Sequence, residues 1–154
     1  MDDRHQAGPS ASRRGFGKVI AGVAAGGALA PAIVRAQAKK VKVGVLLPRS
    51  GVLAQLGQSC QRGADIAPEV LREMYGVDIE LMNADFESNV DQARARAEKL
   101  INEGAQVLVG PFESGAAGAI AQVAEQRKIP FVINIAAAPQ ITEQGYKYTV
   151  RNFP

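Results

Sequence analysis

Histidine and cysteine each occur once in these 154 residues, as His5 and Cys60. A structural zinc site needs four ligands drawn mostly from those two residue types, and a nucleophilic triad needs an imidazole beside its serine or cysteine. Once His5 is set aside with the N-terminal segment described below, neither can be assembled. A single thiol also forbids an internal disulfide, although a domain of about 115 residues buries roughly two-thirds of its unfolded surface and does not need one. Positive charge in excess is missing from most of the chain. The net charge of +3 belongs wholly to residues 1–38, with five Lys/Arg against two Asp/Glu, whereas residues 39–154 carry thirteen of each sign. No basic patch is left to recognise nucleic acid, which is excluded as a partner. Nucleotide signatures are absent as well. Pro48-Arg49-Ser50-Gly51-Val52 stands where a G-x-G-x-x-G turn would be, Gly15-Phe16-Gly17 lacks both a preceding strand and the third glycine, and no G-x-x-x-x-G-K-[ST] occurs. With no metal-ligand set, no cofactor motif and no acid–base pair, the composition points away from an enzyme.

The N-terminal segment reads as an address. Ser12-Arg13-Arg14-Gly15-Phe16-Gly17-Lys18 precedes sixteen uncharged residues, 19–34, and then Ala36-Gln37-Ala38. Basic, apolar and small-residue regions in that order make a secretory leader, here with cleavage after Ala38. The paired arginines followed by Phe16 and Lys18 resemble a twin-arginine signal, which implies the twin-arginine export machinery as a partner and the periplasm as destination. Sixteen residues interrupted by Pro31 fall short of the ~20 that cross a bilayer as a helix. No cysteine follows closely enough to carry a lipid, so a soluble exported product is expected.

Residues 39–154 alternate strand and helix. Positions 41–47 are almost continuously apolar, as a parallel strand buried on both faces requires. Ala64, Ala67, Val70, Leu71 and Met74 then recur at helical spacing and predict a helix over 58–74, closed by Gly76. A second strand is expected over 77–82, ending at Asn83-Ala84-Asp85. Ser88 with Asp91 three residues on resembles a capping signal for a helix whose inner face is Ala93, Ala97, Leu100 and Ile101. Further strands are expected over 106–109 and 130–135, with a helix between them that starts near Ser114 and turns Ala116, Ile120, Val123 and Ala124 inward. Tyr146, Tyr148 and Val150 alternate with Lys147, Thr149 and Arg151, which predicts a fifth strand with one face exposed. Repeated strand–helix–strand units imply right-handed crossovers and an α/β, doubly wound, mostly parallel sheet. There is no internal repeat or low-complexity tract.

Ligands of such sheets bind outside the carboxyl ends of the strands, which singles out the loops 48–56, 83–88, 110–114 and 135–139. Ser114 would cap a helix and aim its hydroxyl and nearby N–H groups outward from a positive dipole end, a seat for a carboxylate. Arg49 and Ser50 offer a cation and a hydroxyl at the mouth of the first strand. Asp85 is expected to order its own loop through hydrogen bonds, and Glu113 to favour the helix N-terminus electrostatically. Leu56 and Phe112 either line an apolar part of a pocket or pack beneath the loops. Cys60 is expected to be a small buried side chain.

Val43-Gly44-Val45-Leu46-Leu47-Pro48 with Ser50-Gly51 and Gly57, Arg62-Gly63-Ala64, Asp85, Ala93 with Ala97 and Leu100, Val109-Gly110-Pro111 with Ser114, Ile129-Pro130, and Tyr148 through Arg151 occur in one order and spacing. Together they resemble the N-terminal lobe of a type I periplasmic solute-binding protein, the leucine/isoleucine/valine-binding family of ABC transporters, over nearly all of residues 40–154. The resemblance implies capture of an amino acid, amide or small organic acid between two closing lobes, delivery to an ABC permease in the inner membrane, and no cofactor. It implies that Ser114 holds a ligand carboxylate, that Leu56 contacts the ligand's side chain, and that Ile135 and Ala136 lie in a segment giving backbone contacts. Ala137 stands where amino-acid binders commonly place a Thr or Ser, so an organic acid is as consistent with the pattern as a branched-chain amino acid. The sequence stops near the family's crossing between lobes, and the expectation is that residues 39–154 are one lobe that binds weakly alone. The alternative reading is a ligand-sensing periplasmic receptor domain of a signalling system, which shares this lobe architecture.

Overall fold

A computed structural model describes residues 40–152; the leader expected over 1–38 and its cleavage after Ala38 lie outside them. Five strands, β1 (Val41–Leu47), β2 (Ile79–Asp85), β3 (Val107–Val109), β4 (Phe131–Ile133) and β5 (Thr149–Arg151), form one parallel sheet in the order β2-β1-β3-β4-β5. Its register pairs Val43 with Leu81 on one side and Val107 on the other, Leu108 with Phe131, and Val132 with Val150. The helices are α1 (Ala54–Tyr75), α2 (Val90–Asn102) and α3 (Ser114–Arg127), with a single 3-10 turn at Pro139–Ile141. Among the described residues no helix is long and apolar enough to cross a membrane.

Chain order and handedness fix the layers. The step from β1 to β2 runs one way along the sheet and the steps from β2 to β3 and β3 to β4 run the other. With right-handed crossovers, α1 therefore lies on one face and α2 and α3 on the opposite face. The alternation of β1 serves both: Leu46 joins Leu108, Leu100, Ile120, Phe131 and Ile133 in the core under α2 and α3, while Val43, Val45 and Leu47 face α1. Alanine-rich α3 buries Ala116, Ala117, Ala121 and Ala124 besides Ile120 and Val123, which lets it sit close to the sheet and to α2.

Several boundaries differ from the sequence expectation, each for a local reason. Helix α1 starts at Ala54, four residues early, because Gly57 lets its first turn lie against the preceding loop; a Cβ there would stand 2.0 Å from the Pro48 carbonyl oxygen. Strand β2 begins at Ile79 and includes Asn83-Ala84-Asp85, since its full length pairs with β1. Asn89, not Ser88, caps α2, its side chain accepting the Gln92 N–H at 2.9 Å, while Ser88 is drawn into a contact between loops. Strand β4 ends at Ile133. The fifth strand is confined to Thr149–Arg151 and its faces are inverted, with Thr149 buried and Val150 55% exposed. The N–H groups of Lys147 and Tyr148 are taken by the Glu125 carboxylate of α3 at 2.9 and 3.0 Å, and pairing with β4 begins only at Thr149.

Candidate functional site

Strand order reverses between β1 and β3, so the crevice that this topology leaves for a ligand opens beyond their carboxyl ends. Gly110 lets the chain turn there: its φ is 117°, and a Cβ would stand 2.2 Å from the Leu46 carbonyl oxygen. Two hydrogen-bonded clusters flank the crevice.

The first joins the loops after β1 and β2. Asp85, the last residue of β2, accepts the N–H groups of Arg49 (2.8 Å), Ser50 (3.3 Å) and Glu87 (2.9 Å) on one carboxylate oxygen. Burial by itself would raise its pKa. The bonds from the Glu87 N–H, the Ser50 hydroxyl and the Arg49 and Ser50 N–H groups outweigh it and hold the carboxyl below its ordinary value. The Ser88 hydroxyl accepts the Leu53 N–H at 3.2 Å and donates to the Ser50 carbonyl at 3.3 Å. Asp85 thus orders its loop, as expected, and does so for the neighbouring one as well. Arg49 and Ser50 are structural members of this cluster. The Arg49 side chain lines a polar hollow of about 270 Å³ with Asn83, Asp85, Arg96, Lys99 and Glu103, and its buried Nε has no hydrogen-bond partner.

The second cluster joins the loops after β3 and β4 to the end of β5. Glu113, in extended conformation (φ −85°, ψ 125°), is the residue that precedes α3, and Ser114 is the first helical residue, so Ser114 is not the cap. Its hydroxyl instead accepts the Ala138 N–H at 3.3 Å. A hydroxyl that accepts one bond still has its proton to give. Glu113 makes no side-chain capping bond, and its buried Oε2 lacks a partner; desolvation pushes its carboxyl up. Among the candidate residues of the fourth loop, Ile135 is 52% exposed, Ala136 is fully buried in the core and Ala137 is exposed. Ala136 therefore offers a ligand only its backbone. Leu56 lies in the first turn of α1, 49% exposed, and Phe112 is half-buried.

Arg151 is the residue that sequence reasoning missed. Its guanidinium donates to the carbonyls of Ala137 (3.2 Å) and Ala138 (2.8 Å) and to the Thr142 hydroxyl (3.4 Å). It fixes the loop that presents Ala137 to the crevice and the Ala138 N–H to Ser114. A cation at the carboxyl end of the last strand was the available signal; the alternation pattern assigned it to an exposed face. Cys60 is only partly buried and lines an open apolar groove beside α1.

Comparison with known proteins gives a consistent set of matches. The profile of a family described as periplasmic binding protein matches residues 40–153. A Leu/Ile/Val-binding protein homolog of Brucella abortus is 31% identical over 140 residues, 89% of this chain and 35% of its own length. The branched-chain amino acid substrate-binding protein of Streptococcus pneumoniae, solved with isoleucine, is 27% identical with a TM-score of 0.67, over 73% of this chain and 33% of that one. An ABC-transporter solute-binding protein of R. palustris, solved with 4-hydroxybenzoate, is 34% identical with a TM-score of 0.64, over 73% and 31%. The chain spans about a third of the length of these relatives.

Proposed function

Since the chain belongs to the periplasmic binding protein family, we propose that it forms the first lobe of a solute-binding protein that captures a small carboxylate for an ABC importer and passes it to a permease in the inner membrane. On this reading residues 1–38 are a twin-arginine-type leader that directs the product to the periplasm and is removed after Ala38.

The observation that carries the ligand's chemistry is the Ser114 hydroxyl, held by the Ala138 N–H at 3.3 Å with its own proton left to donate. A carboxylate is the acceptor that suits both that proton and the positive end of α3, where Glu113 supplies no competing side-chain bond. At position 137, where the family resemblance implies a Thr or Ser that contacts the α-ammonium group of amino acids, this chain has Ala137, which favours an acid without one. The relatives solved with isoleucine and with 4-hydroxybenzoate mark the two choices. An aromatic or other organic acid is the first ligand to try and a branched-chain amino acid the second. Exposed Leu56 and Ile135 supply the apolar contact either would need.

Calorimetric titration of the exported protein, purified from its native cell, with benzoate, 4-hydroxybenzoate, leucine and isoleucine tests the reading. One carboxylate should bind, and Ser114→Ala should weaken it about 10- to 100-fold, the loss of one hydrogen bond to a charged group. Failure of every carboxylate, or undiminished affinity in Ser114→Ala, would overturn it.

A further inference from the structure

One peptide group connects Arg151 to Ser114. The carbonyl of Ala137 and the N–H of Ala138 are two ends of the same amide: its oxygen accepts from the Arg151 guanidinium at 3.2 Å, and its N–H donates to the Ser114 hydroxyl oxygen at 3.3 Å. The other terminal nitrogen of the guanidinium donates to the Ala138 carbonyl at 2.8 Å. That second amide joins Ala138 to Pro139 and has no N–H to continue the chain of bonds, so its bond holds the arginine in place. The same nitrogen donates to the Thr142 hydroxyl at 3.4 Å, which donates in turn to the Pro139 carbonyl at 3.2 Å. Both ends of the connection belong to regular elements. Arg151 pairs with Ile133 as the last residue of β5, and Ser114 opens α3. Between them the loop is seated by Ala136 and Ile141, both buried in the core.

Resting on the carboxylate reading of Ser114, we propose that Arg151 is a positioning residue for the ligand: acting through the 137–138 peptide, its charge sets the direction and the donor strength of the Ser114 hydroxyl. A cation bonded to an amide oxygen draws electron density towards that oxygen and leaves the N–H at the other end a stronger donor. Hydrogen bonds in a row strengthen one another in this way. A hydroxyl whose oxygen accepts the stronger bond becomes in turn a stronger donor through its own proton. Direction is set by the same contact, because the Ala138 N–H occupies the hydroxyl oxygen from the loop side and leaves the proton to point away from the loop. The arrangement suits an anion in particular, since a carboxylate gains more from a strengthened O–H donor than a neutral acceptor does. The positive end of α3 adds to it from the other side of the hydroxyl.

The exported protein and its Arg151→Gln, Ser114→Ala and doubly substituted forms test the relay, each titrated calorimetrically with whichever of benzoate, 4-hydroxybenzoate, leucine and isoleucine the wild type binds. Arg151→Gln removes the charge and should weaken binding about 3- to 10-fold. In the Ser114→Ala background the same substitution should change affinity less than about twofold, because the hydroxyl through which it acts is gone. A merely structural arginine, or one whose charge reaches the ligand directly through space, would weaken both backgrounds alike, and that result would overturn the proposal. The amide proton of Ala138, followed by NMR without ligand, should move upfield in Arg151→Gln, the direction of a weaker hydrogen bond, while those of β1 stay in place; an unmoved Ala138 resonance would also overturn it. Should Arg151→Gln lose the wild-type circular dichroism, Arg151→Lys, which keeps the charge without the fork that spans two carbonyls, carries the same cycle with a smaller coupling. A wild type that binds none of the four acids would overturn the carboxylate reading instead, and the relay would then stand or fall on the Ala138 resonance alone.

Discussion

Asp85 and Glu113 are two carboxylates whose surroundings push them in opposite directions. Asp85 collects backbone N–H groups from two loops and is held below its ordinary 3.8. It contributes stability that is fully present above that value and is lost as pH falls below it. Asp85→Asn should therefore cost about 2 kcal/mol near neutral pH, the scale of hydrogen bonds to a charged group, and its difference from wild type should close in acid; urea midpoints along a pH series measure both. A neutral-pH midpoint equal to wild type would mean that the loops do not depend on this carboxylate. Glu113 is raised above its ordinary 4.5 by desolvation, so the folded chain holds more protons there than the unfolded chain. Its contribution falls as pH rises through and above that value. Glu113→Gln should accordingly be more stable than wild type at about pH 7, with the gap shrinking towards about pH 4. Thermal melts at the two pH values would contradict this if the gap were absent or reversed.

At the level of elements, packing at one glycine decides where α1 begins. Gly57→Ala puts a methyl group 2.0 Å from a backbone oxygen, which no side-chain adjustment can relieve; a loss of about 2–3 kcal/mol is expected from the forced shift. Gly63→Ala in the same helix meets nothing and should gain up to ~1 kcal/mol from helix propensity alone. Equilibrium denaturation of the pair separates packing from propensity, and similar midpoints for both would remove the packing argument. The same contrast explains what the sequence could convey. The apolar run of β1 and the periodic faces of α2 and α3 are properties of neighbouring residues, so strand, helix and parallel order were legible. The early start of α1, the inverted faces of β5 and the clamp made by Arg151 depend on Pro48, Glu125 and Ala137, residues 9, 22 to 23 and 14 positions away. Local periodicity cannot report such partners. Of the candidate site, the sequence conveyed which loops lie at the carboxyl ends of the strands and that a helix starts near Ser114, and not the hydrogen bonds that Arg49, Ser50 and Ser114 make there.

For the whole molecule, the carboxyl edge presents one wall of a crevice. Sites for small ligands enclose most of the ligand's surface, and a single wall cannot. Residues 1–154 alone should bind organic acids or branched-chain amino acids more weakly than about 1 mM, a binding free energy near 4 kcal/mol. Calorimetry that returned micromolar affinity for this chain would mean that one wall suffices. Intact mass of the natural product is the companion measurement, because a mass well above that of residues 39–154 would supply the second wall.

The clamp on the 137–138 carbonyls also has a meaning in time. A chain made from its N-terminus releases Ser114, the 135–138 loop and β4 before Arg151, the residue whose guanidinium holds that loop. Sheet and helices can therefore assemble while the 135–138 loop is still unfastened, and it is fastened only when β5 pairs at the sheet's edge. Among the described residues, the loop at the carboxyl edge of the sheet would be the last to set during synthesis.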